Sequence, residues 1–233
     1  MKKSCVAIIT ARGGSKRIPR KNIKDFLGRP IIEYSIKAAL EAGIFDEVMV
    51  STDDEEIAEI AKNAGAKVPF MRSKDTANDF ATTADVIAEV LQQYKTNDVE
   101  FDYVCCIYPT APFVTAKCLK EAMEILMNGN SDSVVPVVKF GFPPQRGVII
   151  QDGRVSFKWP EFAFARSQDL ESMYHDCGQF YCLNIESFEK QKCLVMANTM
   201  PYIREEKEVQ DIDTMEDWYL AEIKYRMLYG DMS

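Results

Sequence analysis

Six cations crowd residues 12–25, a segment that contains a single acid, Asp25, and therefore carries a net charge of +5. They surround the tripeptide Gly13-Gly14-Ser15. Glycine lets main-chain N–H groups approach phosphate oxygens, and lysine supplies point charge beside them. The segment predicts a cradle for a triphosphate, with a solvated basic loop as the alternative. The six cations are Arg12, Lys16, Arg17, Arg20, Lys21 and Lys24.

The rest of the chain is acidic. The 233 residues hold 28 Lys and Arg against 36 Asp and Glu, a formal charge of −8, so the residues outside the basic segment sum to −13. A field of that sign repels a long polyanion. No window approaches the roughly 18 uninterrupted apolar residues that a membrane span requires. We therefore expect small anionic ligands, with no nucleic acid and no membrane as partners.

Seven cysteines and one histidine limit the redox and metal chemistry. No Cys-x-x-Cys pair occurs, and the N-terminal Met1-Lys2-Lys3-Ser4 shows no signal-peptide pattern. Both features predict reduced thiols in a cytoplasmic protein. The single histidine, His175, excludes zinc sites that are built on two histidines of one chain.

Two aspartates near the C-terminus, Asp211 and Asp213, could supply a metal site made of hard oxygen ligands. A spacing of i and i+2 would put both carboxylates on one face of a strand. Mg²⁺ prefers carboxylate and phosphate oxygens, so this pair with a bound triphosphate predicts a magnesium site. The adjacent Thr214 and Asp217 predict a helix cap, which is compatible with metal binding.

These candidate groups follow elements that alternate between strand and helix over the first two-thirds of the chain. The pattern predicts an α/β fold with a doubly wound, mostly parallel sheet and a nucleotide site at its carboxyl edge. The predicted strands cover Val6–Ile9, Phe45–Ser51, Lys67–Met71, Asp102–Tyr108 and Ser133–Val138. The predicted helices run from Pro30 to Gly43, from a Thr52 cap to Gly65, from Thr83 to Lys95 and from Thr115 to Asn128.

The alternation stops near residue 140, and residues 140–178 predict an inserted arm within a single domain that spans 1–233. Asp152-Gly153, between the β-rich runs 147–150 and 154–158, predicts a hairpin. The aromatic run 159–164 is either a small satellite core or a subunit contact. A strand over Gln179–Ile185 and a helix over Met215–Tyr229 complete the prediction.

The run Ala11–Asn22 resembles the signature of the CMP-sugar-acid synthetases, the acylneuraminate cytidylyltransferases. The similarity continues through Val50–Ala58, Pro109–Pro112 and Asp211–Trp218, and so it spans nearly the whole chain. Within that family, Tyr108–Phe113 and His175–Tyr181 are most similar to the pseudaminic acid branch.

The resemblance implies transfer of CMP from CTP to the anomeric hydroxyl of a nine-carbon 2-keto sugar acid, with release of pyrophosphate. It implies a sheet of the nucleotide-diphospho-sugar transferase type. It also implies that Arg12, Lys16 and Lys21 are catalytic, because they would hold the leaving pyrophosphate. The nucleotide contacts that it implies are Ala11, Arg12, Gly13, Gly14, Lys16, Lys21, Asn22, Arg72, Ala81, Thr82 and Thr83.

For the second substrate, the resemblance implies a sugar pocket bordered by the partner subunit of a homodimer that is joined through the arm at 147–158. It assigns Mg²⁺ to Asp211 and Asp213. Where sialic acid synthetases carry glutamine and serine, this chain has Tyr108 and Ala111, which favours a different stereoisomer. The sugar contacts that it implies are Tyr108, Lys139, Arg166, His175, Gln179 and Tyr181.

Two alternatives remain open from the sequence. A synthetase for N-acetylneuraminic, legionaminic or octulosonic acid would use the same basic loop. A non-catalytic nucleotide-binding module would also use that loop, but it would have little need of Asp211 and Asp213.

Overall fold

The computed structural model describes residues 3–230, so Met1 and Lys2 of the segment inspected for a signal peptide lie outside the described residues. The strands are β1 Cys5–Thr10, β2 Asp25–Phe26, β3 Arg29–Pro30, β4 Glu47–Ser51, β5 Tyr103–Ile107, β6 Ser133–Lys139, β7 Val148–Gln151, β8 Arg154–Phe157, β9 Tyr174–Asp176, β10 Phe180–Asn184 and β11 Thr199–Arg204. The helices are α1 Ile32–Ala42, α2 Glu55–Asn63, α3 Lys74–Ala77, α4 Thr83–Thr96, α5 Ala116–Asn128, α6 Ile185–Gln191 and α7 Met215–Tyr229.

The main sheet has the spatial order β4-β1-β5-β10-β6-β11, and β9 pairs with the end of β6. Along this order, neighbouring strands are parallel except where β10 runs against β5 and β6. Ile9 of β1 lies opposite Val50 of β4 and Ile107 of β5. Because β1, β4, β5 and β6 run the same way, their carboxyl ends meet at one edge, where β10 begins.

Helices cover both faces of this sheet. Ile9 of β1 belongs to a core that includes residues of α1 and α5, whereas Ile8 belongs to a second core with residues of α4 and α6. A strand that is buried on both faces needs apolar residues at every position, which explains the uninterrupted apolar run of β1. The predicted doubly wound, mostly parallel architecture is confirmed.

A third cluster, here called the Trp218 cluster, ties the basic loop to the C-terminal helix. Ile18, Ile212 and Trp218 are each 1% exposed, and they pack together with Phe26 and Phe113. The rings of Trp218 and Phe26 meet edge to face with centroids 5.6 Å apart. Burying each large apolar side chain contributes roughly 1.5–3 kcal/mol, so this cluster fixes the loop against α7.

Three local predictions were wrong. Asp54, not Thr52, caps α2, because Thr52 is fully buried at the end of β4 while the Asp54 carboxylate accepts an amide of the first turn. Pro30 lies in β3, paired within a short hairpin, and α1 begins two residues later. Lys67–Met71 forms no strand beyond a single bridge at Lys67, since Pro69 has no N–H to extend the pairing.

The predicted hairpin is present in the arm. Asp152 and Gly153 have φ values of 51° and 73°, the left-handed values that a two-residue type I′ turn requires. Every residue of β7 and β8 is exposed. None of the aromatic run 159–164 is buried, and Phe164 is 100% exposed, so the satellite-core interpretation is wrong. The subunit contact stays a prediction, as does the division into one domain with an inserted arm.

The reduced state of the cysteines stays a prediction. All seven are free thiols, and six of them are buried. Between residues 3 and 230, no helix has the length and apolar character that crossing a bilayer requires.

Candidate active site

A cleft of about 410 Å³ opens at the carboxyl edge of the sheet, between the basic loop, the segment before α4 and the turn after β5. It collects side chains from three distant parts of the chain. The predicted site residues that line it are Arg12, Lys16, Lys21, Asn22, Arg72, Ala81, Thr82, Thr83 and Tyr108.

The first residues of the basic loop are held by the neighbouring strand and helix. Ala11 is buried and donates its N–H to the last residue of β4 at 2.9 Å, and Gly13 donates its N–H to Asp53 Oδ1 at 2.9 Å. A Cβ on Gly13 would lie 2.7 Å from Asp54 Oδ2, whereas a Cβ on Gly14 would meet nothing within 4 Å. Gly13 is therefore required by close packing, and Gly14 is not.

Asn22 braces the loop from inside. It is 5% exposed, and its Nδ2 donates to the carbonyl oxygen of Arg12 at 2.8 Å. Asn22 follows Lys21 in a short 3₁₀ turn, which Arg20 enters in a left-handed conformation with φ 55°. This turn directs Lys21 into the cleft, where its side chain is only 20% exposed.

Arg12 and Lys16 converge on one carboxylate. Arg12 Nη1 lies 2.7 Å from Asp79 Oδ1, and Lys16 Nζ lies 2.5 Å from Asp79 Oδ2. The hydrogen bonds from Lys16 and then Arg12 hold the pKa of Asp79 below its usual range. The space between these two cations therefore already favours an anion, which is the property that a triphosphate site needs.

Two of the six cations serve the loop rather than the cleft. Arg20 forms ion pairs with Asp54 and Glu56 at the start of α2, and its hydrogen bond lowers the pKa of Asp54. Lys24 lies over the ring of Trp218 at 5.6 Å. The net charge of the segment thus overstates the positive charge that a ligand in the cleft would contact. Of its six cations, the four that line the cleft are Arg12, Lys16, Arg17 and Lys21.

Arg72 is buried beside the end of β4. Its Nε donates to Ser51 Oγ at 3.0 Å, and its Nη2 donates to the Ser51 carbonyl at 2.7 Å. Burial lowers the pKa of Arg72, and the nearby Asp53 opposes that change. A guanidinium so held is a rigid donor on the wall of the cleft, suited to an oxygen of a ligand.

The start of α4 forms the facing wall. Thr82 caps this helix in a reciprocal capping box with Asp85, and Ala81 donates its N–H to Asn78 Oδ1 at 3.0 Å. Thr83 Oγ1 lies 2.9 Å from Tyr108 Oη. The predicted nucleotide segment and a predicted sugar contact therefore share one wall.

Asp211 and Asp213 lie in the loop before α7, not on a strand as predicted. Ile212, buried in the Trp218 cluster, anchors the loop between them. Asp213 Oδ1 lies 2.7 Å from Arg17 Nη2 and 3.6 Å from Lys21 Nζ. Partial desolvation, and then repulsion from Asp213, raises the pKa of Asp211, although its side chain keeps solvent access. The predicted cap by Thr214 and Asp217 is also present.

Lys139 and Tyr181 do not line the cleft, but they lie on the face of the sheet that α4 covers. Lys139 pairs opposite Tyr174 and Asp176 pairs opposite Val137, so Lys139 and Asp176 project from one face of β6 and β9. Tyr181 donates its hydroxyl to Asp176 Oδ2 at 2.6 Å. The Tyr181 ring meets the Tyr108 ring edge to face, with centroids 5.6 Å apart.

The other predicted sugar contacts lie elsewhere. His175 pairs opposite Val138 and so projects from the opposite face, where its ring contacts the Phe140 ring at a tilt of 52°, with centroids 4.7 Å apart. Gln179 is 1% exposed, and its Nε2 donates to the Glu208 carbonyl at 2.8 Å, which makes it a brace for the loop before α7. The structure therefore does not bring His175 or Gln179 into the cleft.

Arg166 is the remaining predicted sugar contact. It lies on the arm, outside the lining of the cleft, and its Nε is 2.6 Å from Asp169 Oδ2. Both side chains are largely exposed. Within the described part of one chain, Arg166 faces no part of this site, so a role for it would need another surface.

Sequence reasoning did not single out Asp79 or Asp176. Asp79 lies two residues before the Ala81–Thr83 segment. The high density of cations in the basic loop was the one sequence feature that indicated a nearby acid. Asp176 contacts Tyr181 across the bend at Gly178, between β9 and β10, and no sequence spacing predicts such a contact. The contacts of both acids depend on the conformation of loops, which the sequence pattern does not predict.

Comparison with known proteins agrees with this geometry. A family model described as cytidylyltransferase matches residues 6–181. The pseudaminic acid cytidylyltransferase of Campylobacter jejuni subsp. jejuni serotype O:2 is 40% identical over 228 residues, 97% of each chain. The CMP-N,N'-diacetyllegionaminic acid synthase of Legionella pneumophila subsp. pneumophila is 34% identical over 226 residues, 93% of this chain and 94% of that one.

The fold also matches a solved structure. A structure of CMP:2-keto-3-deoxy-manno-octonic acid synthetase with CTP aligns with a TM-score of 0.68 at 18% identity, over 97% of this chain and 98% of that chain. At that identity the likeness supports the architecture alone. The family match and the full-length relatives show more: the chain belongs to the cytidylyltransferase family, and it is a nucleotidyltransferase.

Proposed function

We propose that this protein transfers CMP from CTP to the anomeric hydroxyl of pseudaminic acid, a nine-carbon 2-keto sugar acid, and releases pyrophosphate in the cytoplasm. The observation that carries the proposal is the convergence of Arg12, Lys16, Arg17 and Lys21 on one cleft. The cations suit a triphosphate, and the full-length relatives named for pseudaminic acid narrow the choice of sugar.

The basic loop would act on the leaving group. The anomeric hydroxyl loses its proton to water as its oxygen bonds to the α-phosphorus of CTP. The bond from that phosphorus to the oxygen bridging the α- and β-phosphates breaks, and the departing pyrophosphate gains charge. Donors from Arg12, Lys16 and Lys21 to its oxygens stabilise that charge. Lys21 is 20% exposed and Lys16 is 78% exposed, so the charge of Lys21 is less screened and carries the larger effect.

The remaining nucleotide contacts would hold the nucleoside. Arg72 is a fixed donor at the end of β4, suited to a carbonyl oxygen of the cytosine ring. Ala81, Thr82 and Thr83 offer main-chain and hydroxyl groups at the start of α4. The Asn22 amide already donates to the Arg12 carbonyl, so Asn22 would act by shaping the loop around the nucleotide.

The sugar acid would bind on the side of Tyr108, Tyr181 and Lys139. Lys139 is a cation that the phosphates would not contact, so it is free to pair with the carboxylate of the sugar acid. Tyr108 lines the cleft, and its hydroxyl could form a hydrogen bond with the sugar acid. Arg166 would reach a sugar pocket only across a subunit boundary, and His175 and Gln179 are left out of the pocket on geometric grounds.

Asp211 and Asp213 fit a magnesium ion. Both carboxylates lie beside the basic loop, where partial desolvation and then the charge of Asp213 raise the pKa of Asp211, and Mg²⁺ prefers carboxylate oxygens. Within residues 3–230, no cluster of three or more acidic, histidine or cysteine side chains could hold a metal, so the triphosphate and water would complete the ligand set. When bound, Mg²⁺ would neutralise charge on the phosphates. Mg²⁺-dependent pyrophosphate release that remained intact in Asp213→Ala would contradict this assignment.

The arm would join two copies into a homodimer. A two-stranded hairpin is marginally stable in water by itself, and β7 and β8 pair only with each other among the described residues. Val148, Ile150 and Val155 are 52%, 73% and 66% exposed, which is costly unless a second surface covers them. Light scattering at micromolar concentration would test this, and a monomer would count against it.

A panel of sugar acids tests the proposed function. With CTP and Mg²⁺, pyrophosphate release should be fastest with pseudaminic acid. Fastest release with N,N'-diacetyllegionaminic acid would favour the second candidate, which the Legionella relative represents, and a preference for N-acetylneuraminic acid would overturn the assignment. CTP binding without turnover of any sugar acid would instead indicate a non-catalytic nucleotide-binding module.

A further inference from the structure

Residues 73–81, here called the strap, form part of the cleft wall although none of them is buried in the described chain. The strap begins directly after Arg72, contains the short helix α3, and ends just before the Thr82 cap of α4. Because burial of apolar side chains contributes little here, polar contacts must hold the strap in position. Its residues that line the cleft are Thr76, Asn78, Asp79 and Ala81.

The end of the strap farther along the chain is held by the basic loop. Arg12 Nη1 donates to the Asn78 carbonyl at 3.2 Å, and Arg12 and Lys16 both pair with Asp79. In the proposed function, the same two cations contact the phosphates of CTP. A bound triphosphate would therefore draw Arg12 and Lys16 away from this end of the strap.

The beginning of the strap is held by a carboxylate of α4, Glu89. Its Oε1 accepts the Ser73 N–H at 2.8 Å, and its Oε2 accepts the Ser73 hydroxyl at 3.1 Å and the Thr76 hydroxyl. Partial burial raises the pKa of Glu89, but these hydrogen bonds outweigh that effect and hold its pKa below the usual range. Glu89 is thus a charged acceptor for three donors, and such hydrogen bonds are stronger than neutral ones.

Glu89 lies on a rigid element and outside the lining of the cleft. The neighbouring Ile87 and Val90 fix α4 in the second core, and Gln93 Nε2 donates to Glu89 Oε1 at 3.3 Å. A triphosphate at the basic loop would displace none of these contacts. The beginning of the strap therefore stays anchored when its other end is released.

We propose that Glu89 is a positioning residue that keeps the strap against the nucleoside of CTP once the triphosphate has drawn Arg12 and Lys16 away from Asp79. The inference rests on the proposed function, because it takes CTP to be the ligand of the cleft. Glu89 touches no ligand atom and acts through Ser73 and Thr76. Loss of the anchor should weaken the nucleoside contacts and leave the phosphate contacts intact.

Calorimetry on the whole protein with Mg²⁺ tests the proposal, with CTP and inorganic tripolyphosphate as the two ligands. Glu89→Gln sets an amide N–H₂ against the donors of Ser73 and Thr76, so CTP should bind about 10-fold more weakly. Tripolyphosphate has no nucleoside and should bind within about 2-fold of its wild-type affinity. Amide hydrogen exchange should become faster in residues 73–81 and stay unchanged in the main sheet.

A second variant separates the anchor from the charge of Glu89, which also favours the charged form of Arg72. Ser73→Ala keeps that charge and removes one of the three donors, so CTP should bind about 3-fold more weakly. Combined with Glu89→Gln, it should add little further loss, because both changes break the same contact. Unchanged CTP affinity in Ser73→Ala would overturn the inference.

Asp132 provides a matched control at a distance from the cleft. It precedes β6, and its carboxylate also accepts several donors, among them Ser187 Oγ at 2.6 Å and Gln191 Nε2 at 3.0 Å. Its hydrogen bonds likewise hold its pKa below the usual range. Asp132→Asn should leave the affinities for CTP and tripolyphosphate unchanged.

CTP affinity within about 2-fold of wild type in Glu89→Gln would overturn the inference, and so would an equal loss of tripolyphosphate binding. An equal loss of CTP binding in Asp132→Asn would do the same, because it would indicate a general effect on folding. A wild type that binds CTP but uses no sugar acid would overturn the proposed function and leave this inference standing. A wild type that binds no CTP would overturn both.

Discussion

The basic-loop cleft and the arm are built by opposite means. In the cleft, charged groups meet partners within one chain: Arg12 and Lys16 share Asp79, and Arg17 and Lys21 lie beside Asp213. In the arm, the apolar residues of β7 and β8 point into solvent and the hairpin pairs with no other described strand. Within the described chain, the charged groups of the cleft have partners, whereas the apolar residues of the hairpin are uncovered.

The energetics of the two regions differ accordingly. Exposed ion pairs such as those at Asp79 contribute little to stability, so they exchange readily for a more highly charged triphosphate. The apolar arm gains stability only when it is covered, at roughly 25 cal/mol per Å². The nucleotide should therefore bind with or without assembly, and use of the sugar acid should depend on assembly.

The largest effect is expected within the loop, from two lysines three residues apart. Lys21→Met removes a weakly screened cation from the cleft, and kcat/KM should fall about 10²–10³-fold. Lys24→Met is the matched control, because Lys24 lies over Trp218 and does not line the cleft. Pyrophosphate release measures both. Similar losses in the two variants would show that total loop charge, rather than its placement, matters.

A smaller effect is expected from two adjacent glycines. Gly13→Ala brings a methyl group 2.7 Å from Asp54 Oδ2, which should cost about 1–3 kcal/mol of stability as the loop moves away from α2. Gly14→Ala meets nothing within 4 Å and should be neutral. Thermal denaturation and CTP calorimetry measure the two outcomes. Equal tolerance at both positions would contradict the packing of the loop on α2.

The smallest effect should be a gain. Asp79→Asn frees Arg12 and Lys16 from their shared carboxylate, and CTP should bind about 3-fold more tightly at low salt. The gain should shrink as ionic strength rises, because the pairs are exposed. Asp75→Asn changes the net charge equally on the nearby α3 and serves as the control. Weaker CTP binding in Asp79→Asn would mean that this acid supports the ligand rather than competing with it.

The sheet and the basic loop were predictable from the sequence because short-range patterns encode them. Apolar runs and capped amphipathic segments gave helices α4, α5 and α7 to within about a residue at each end. The errors fell where tertiary contacts decide. Thr52 fits a cap by spacing, yet burial of its side chain at the end of β4 passes that role to Asp54.

The sugar side was less predictable because it depends on side-chain direction. His175 and Tyr181 looked equivalent in the sequence, but pairing to β6 puts His175 on the face opposite to Asp176. Gln179 looked like a polar rim residue, and its side chain is instead buried against the Glu208 carbonyl. Pairing to β6 sets the direction of His175, and a bend at Gly178, with φ 60°, separates β9 from β10; the sequence pattern predicts neither feature.

The division between cleft and arm is tested most directly by two substitutions on one face of the hairpin, Ile150→Asp and Val155→Asp, which lie opposite each other in β7 and β8. For the double variant we predict a monomer by light scattering, CTP affinity within about 2-fold of wild type, and transfer to pseudaminic acid reduced more than about 10-fold. Loss of CTP binding in this double variant, or a monomer that retains full transfer activity, would contradict the account.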